Sequence, residues 1–134
     1  LLDGPAAAVL TTYRSDGAAA TSPVWVRQHG GALEVVIVEG DAKLAQLRRD
    51  PRCALVVFEA ARPFRGIEAR GEAQLVQDDV TAARAEIAAR YLGPEDGARF
   101  VAERASKPGV LVRLSLTDAR IWDLSRILPL AAAD

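Results

Sequence analysis

The chain has 134 residues, half of them hydrophobic and 26% charged, and a formal net charge of −1. That length suits one domain (1–134) around one core, and the composition excludes a disordered chain. The near-neutral balance exerts no global pull on nucleic acid or an anionic membrane, so any anionic ligand must be attracted locally.

From the N-terminus, Ala6 to Thr12 is small and apolar and ends at the turn residues Ser15-Asp16-Gly17. Ala18 to Arg27 resumes an extended pattern. A second turn, Gln28-His29-Gly30-Gly31, leads into the β-branched run Leu33 to Val38. Short turns between such strands predict an antiparallel meander. Asp41 is placed to cap a helix from Ala42 to Arg49, and Asp50-Pro51 stops it because proline disfavours helix in the residue before it. Arg52 to Phe58 reads as a buried strand. A loop through Arg62-Pro63-Phe64-Arg65 opens the long extended run Ile67 to Gln77.

Asp78-Asp79-Val80-Thr81 begins an alanine-rich helix to Tyr91, with Val80, Ile87 and Tyr91 on its apolar face. Gly93-Pro94 breaks it and starts a second helix toward Ala105. Val110 to Leu116 alternates as a strand, and Ala119 to Asp123 forms a last strand carrying Trp122. The order predicts an α+β fold in which about six antiparallel strands close into a small barrel. It lacks the βαβ rhythm and the glycine motif of a Rossmann domain.

Chemistry-bearing residues are few. The only histidine, His29, lies in a turn, and the only cysteine, Cys53, lies in an apolar strand. No nucleophile–base arrangement or metal-ligand spacing can be assembled from them, so no catalytic residue and no metal site are assigned. An enzyme built on this chain would need a cofactor as its reactive centre. Lys43, in the first turn of the helix after Asp41, is the best-placed cation for a phosphate. Arg48, Arg49, Arg52, Arg62, Arg65 and Arg70 read equally well as a solvated face. Trp25, in Pro23-Val24-Trp25-Val26, reads as core packing or as a flat ligand surface.

A lone thiol fits a reducing, cytoplasmic compartment. No apolar stretch reaches the length of a membrane span, and no signal peptide is evident. The start at Leu1-Leu2 without methionine reads as a trimmed or lost disordered end, and part of an N-terminal helix is expected before it.

Four segments together give the chain a family resemblance. They are Val9-Leu10-Thr11-Thr12 with Asp16-Gly17, Ser22-Pro23-Val24-Trp25, Ala42-Lys43 through Leu47-Arg48-Arg49-Asp50-Pro51-Arg52, and Glu68-Ala69-Arg70-Gly71-Glu72-Ala73. With Ala119-Arg120-Ile121-Trp122-Asp123 they resemble the pyridoxamine-phosphate-oxidase-like split β-barrel superfamily, in its F420-dependent oxidoreductase branch. The resemblance implies a six-stranded antiparallel split β-barrel with flanking helices. It also implies a homodimer with cofactor grooves at the subunit interface.

By the same resemblance Lys43 contacts the cofactor phosphate and Gln46 adds a hydrogen bond. Pro23, Val24 and Trp25 line the ring, and Phe64 and Arg65 come from the partner subunit or the groove rim. Asp41, Val36 and Gln46 depart from the usual residues, which are basic or small, hydroxylic, and asparagine. The implied function is hydride transfer between reduced F420 and an unidentified small-molecule substrate. FMN-dependent chemistry on the same scaffold and non-catalytic binding of a flavin, deazaflavin or haem-related ligand are the alternatives.

Overall fold

The computed structural model describes residues 1–129, so the end of the expected 1–134 domain lies outside them. Strand β1 (Ala7–Tyr13) turns back on β2 (Ala19–Pro23), and β3 (Arg27–His29) on β4 (Ala32–Val38). Gly30 and Gly31 both have positive φ, 57° and 72°, which is the backbone a two-residue hairpin with right-handed strand twist requires. Helix α1 (Ala42–Arg49) has the expected bounds. The Asp41 side chain accepts a 2.8 Å hydrogen bond from the Lys43 N–H. Strands β5 (Arg52–Phe58), β6 (Gly66–Glu72) and β7 (Gln74–Val76) follow. Helices α2 (Val80–Leu92) and α3 (Pro94–Glu103) and strands β8 (Gly109–Ser115) and β9 (Arg120–Trp122) complete the order.

The strands form two antiparallel sheets, ordered β2-β1-β5-β6-β9 and β3-β4-β8-β7. This corrects the expectation of six strands, and the cause is that two long extended runs each change sheet. The first leaves β1 at Pro23, which has no N–H. Its last tie is the Val24 N–H to the Ala8 carbonyl (3.0 Å), and it joins β4 only at Arg27. The second leaves β5 at Ala73, whose N–H donates to the Pro51 carbonyl (2.8 Å), and pairs with β8 from Gln74.

The inner faces of both sheets form one core. Alternation along β1 and β5 sends Ala8, Leu10, Cys53, Leu55 and Val57 inward to meet Leu33, Val35, Ile37, Val110, Val112 and Leu114. Leu44 and Leu47 of α1, each 1% exposed, also enter the core. Each such leucine stabilises the fold by about 1.5–3 kcal/mol. Helix α2 packs on the outer face of the four-stranded sheet, burying Ala83, Ile87 and Ala88, while Val80 and Tyr91 stay half-buried. Helix α3 lies so close to α2 that a Cβ on Gly97 would sit 2.8 Å from the Ala89 Cα.

Candidate functional site

Between the sheet change at Val24–Val26 and the two long helices lies a cavity of about 250 Å³. Pro23, Val24 and Trp25 supply one wall, and Val36 and Val38 of β4 another. Asp41 and Lys43 stand at the start of α1. Arg84, Ile87 and Ala88 of α2, with Phe100 and Arg104, close the far side. The β4 side chains reach the cavity because Leu33, Val35 and Ile37 take the core, leaving Val36 and Val38 on the opposite face.

Trp25 is fixed by aromatic contacts rather than by a strand partner. Its ring stacks on Tyr91 with centroids 5.2 Å apart and planes 8° apart, and it meets Phe100 at 5.3 Å and 45°. The Tyr91 hydroxyl donates to the Ala6 carbonyl (2.8 Å) and accepts from the Val26 N–H (3.2 Å). Burial pushes this phenol above its ordinary value, which keeps it a proton donor. The result is a flat apolar surface, 36% exposed at Trp25.

Lys43 brings charge to this surface. Its side chain is mostly buried, and its ammonium lies 3.0 Å from the Asp41 carboxylate. Burial acts to raise Asp41, but hydrogen bonds from the Lys43 N–H and ammonium outweigh it and hold the carboxyl below the usual range. The carboxylate is therefore turned into its capping role, as the departure at this position required. Phe100 carries the Arg104 guanidinium 3.8 Å above its ring.

Beside the cavity runs a buried ion network. Glu34, fully buried, accepts from Arg27 Nε (2.7 Å) and Arg113 Nη1 (2.7 Å), and Arg27 also pairs with Glu86 of α2 (2.5 Å). Arg27, Glu34 and Arg113 are direct register partners across β3, β4 and β8. Sequence reading missed them because isolated charges in strands read as solvent-facing.

Of the expected site residues, the structure gathers Pro23, Val24, Trp25 and Lys43 around one cavity. Gln46 lies outside its lining and accepts a hydrogen bond from the buried Thr12 hydroxyl (2.5 Å). Phe64 and Arg65 sit on the loop before β6. There Arg65 is clamped to Glu59 by two side-chain bonds of 2.8 and 3.0 Å, beside a separate hollow with Leu2 and Trp122. Tyr91, Phe100, Arg84 and Arg104 were missed. Their only sequence signal was helical spacing, Arg84 with Ile87 and Ala88, and Phe100 with Arg104.

His29 is an exposed turn-flanking residue outside the cavity lining, and burial raises the Cys53 thiol to about 11, so it is inert. Among the described residues no His/Cys/Asp/Glu group could hold a metal, and no helix is long and apolar enough to cross a membrane.

Two antiparallel sheets sharing extended runs, with three helices and a flat cation-bearing cavity, place the protein in the PNPOx-like α+β class. The family described as pyridoxamine 5'-phosphate oxidase matches residues 1–123, and the chain belongs to it. No curated protein sequence matches.

Among solved structures, an F420 reductase is 25% identical with a TM-score of 0.70, the match covering 90% of this chain and 93% of that one. A conserved hypothetical protein from Mycobacterium tuberculosis is 23% identical with a TM-score of 0.78, over 96% and 84% of the two chains. An FAD-binding protein from Mesorhizobium loti is 16% identical with a TM-score of 0.67, over 92% and 90%. The last two likenesses concern the fold alone, and one fold hosts many ligands.

Proposed function

We propose that the chain is a cofactor-dependent oxidoreductase that uses coenzyme F420 to transfer a hydride to or from a small-molecule substrate. The observation that carries this reading is the Lys43 ammonium at the rim of a cavity lined by Trp25, Pro23 and Val24. The donor set fits the cofactor: a cation for phosphate, and flat apolar surface for a fused ring. The F420 reductase of the same fold supports the choice of cofactor.

F420, when bound, supplies the hydride chemistry, and the chain's residues bind, orient and exclude water. Lys43 holds the phosphate once Asp41 shares it. Trp25, backed by Tyr91, presents a fixed plane on which a ring settles. Val36, Val38 and Ile87 keep the wall dry, which strengthens every charge interaction inside. Among the described residues lining the cavity, Asp41 is the one carboxylate and its pKa is lowered, so product protonation is assigned to solvent.

At about 250 Å³ the cavity falls below the roughly 300–1,000 Å³ usual for ligand pockets. A second copy of the chain would complete it, closing a split β-barrel homodimer in which Phe64 and Arg65 reach the partner's groove. Gln46, adjacent to Lys43 by one helical turn, would serve the phosphate only after releasing Thr12. A cytoplasmic location accords with the free thiol of Cys53.

Titration with F420, read by its fluorescence, tests the proposal. Saturable binding is expected, weakened in Lys43→Ala by about 1.5–3 kcal/mol, the worth of a charge-assisted hydrogen bond. Unchanged F420 and FMN spectra at high protein concentration would refute it. FMN is the second reading, favoured by the single phosphate anchor at Lys43, and it predicts a yellow protein on purification.

A further inference from the structure

We propose that Arg104 is a specificity-determining residue that draws a flat carboxylic acid into the cavity. The conjugated part of the acid lies beside Phe100 at the edge of the Trp25 surface, and its carboxylate meets the guanidinium. This inference rests on the ring-binding reading above and names a substrate class for it.

The cavity lining carries three cations, Lys43, Arg84 and Arg104, against one carboxylate, Asp41. The three are not equivalent. Lys43 is paired with Asp41 at 3.0 Å. Arg84 donates through Nη1 to the carbonyls of Lys107 (3.0 Å) and Arg104 (3.4 Å). Its Nη2 is buried without a partner, lying 2.6 Å from where a Cβ on Gly109 would stand. That guanidinium is held in the wall by these two carbonyls.

Arg104 differs from both. Among the described residues its nearest acidic contact is Glu103 at 3.8 Å, and that side chain is 65% exposed. A pair so long and so wet contributes little. The guanidinium lies 3.8 Å over the Phe100 ring, and an arginine stacked on an aromatic face keeps its N–H edge available for a bidentate acceptor.

Phe100 in turn meets Trp25 at 45°, so two ring surfaces and one guanidinium border a common space. A flat acid fits this end of the cavity, its apolar part beside the rings and its charge on a planar fork. With the cofactor phosphate on Lys43, the two arginines keep the wall positive, which favours an acid over a neutral isostere.

The test uses trans-cinnamate and its neutral amide as probes, read by quenching of Trp25 in a Trp122→Phe background, where Trp25 is the remaining tryptophan of two. Cinnamate is expected to bind about tenfold more tightly than the amide, the lower end of a charge-assisted bond at a half-exposed site. Arg104→Gln should abolish that preference, and Arg104→Lys should keep part of it.

Equal binding of acid and amide, or a preference that survives Arg104→Gln, overturns the assignment. Loss of F420 affinity in Arg104→Gln also overturns it, by moving the arginine to the cofactor. An Arg104-dependent acid preference in a protein that ignores both F420 and FMN supports the assignment while refuting the cofactor reading.

Discussion

Trp25 and Tyr91 lie face to face, 5.2 Å between ring centres and 8° from parallel, although Tyr91 follows Val26, the residue after Trp25, by 65 positions in the chain. The tyrosine hydroxyl holds the backbone at both Ala6 and Val26, so one side chain of α2 fixes the position of the ring surface. Tyr91→Phe keeps the stack and removes both bonds, leaving the N–H of buried Val26 without that acceptor. A loss of about 1–3 kcal/mol in denaturant unfolding is expected, together with weaker F420 binding.

Glu34, itself without exposure, is the shared acceptor of two arginines. Glu34→Gln leaves Arg27 and Arg113 facing each other without their common counter-charge. Unfolding should become easier by about 3–5 kcal/mol, the cost of breaking a buried pair from one side. Added salt should restore little, because buried charges are poorly screened.

Gly97→Ala tests how closely α3 must sit on α2. The new methyl would lie 2.8–2.9 Å from backbone atoms of Ala88 and Ala89, which cannot swing aside. Helix α3 must move off, carrying Phe100 and Arg104 from the cavity. Thermal melting should report a loss of about 1–3 kcal/mol, and ligand binding should fall with it.

Acid stability should carry the signature of Glu59. Side-chain and backbone hydrogen bonds from Arg65 hold its carboxyl at about 2, below the ordinary 4.5. A carboxyl depressed on folding stabilises the native state fully above pH 4.5, and that contribution disappears as pH falls toward 2. Melting temperatures of wild type and Glu59→Gln should therefore differ at neutral pH and converge across this interval. A constant difference down to pH 2 would refute the clamp.

Helix α1 was legible to the residue because its signals are local: Asp41 caps the first turn, and Asp50-Pro51 ends it. Lys43 and Trp25 were legible through the segments around them. The exchange of strands between sheets was not, since Ala18 to Arg27 has unbroken extended character and partner choice is decided elsewhere in the chain. The same holds for Glu34, whose charge looks solvent-facing until the register sets Arg27 and Arg113 on either side. Arg104 escaped notice because an arginine at a helix end beside exposed residues resembles any other, and only the tertiary fold brings it over Phe100 and into the cavity wall with Trp25.

Residues 24–26 belong to neither ladder, although sheets begin on both sides of them. A residue inserted inside β3 would shift its register, turning Arg27 away from Glu34. In this short bridge the same change stays local. The stretch that lines the cavity is thus the one least bound by pairing rules, and its side chains can change while both sheets stay as they are.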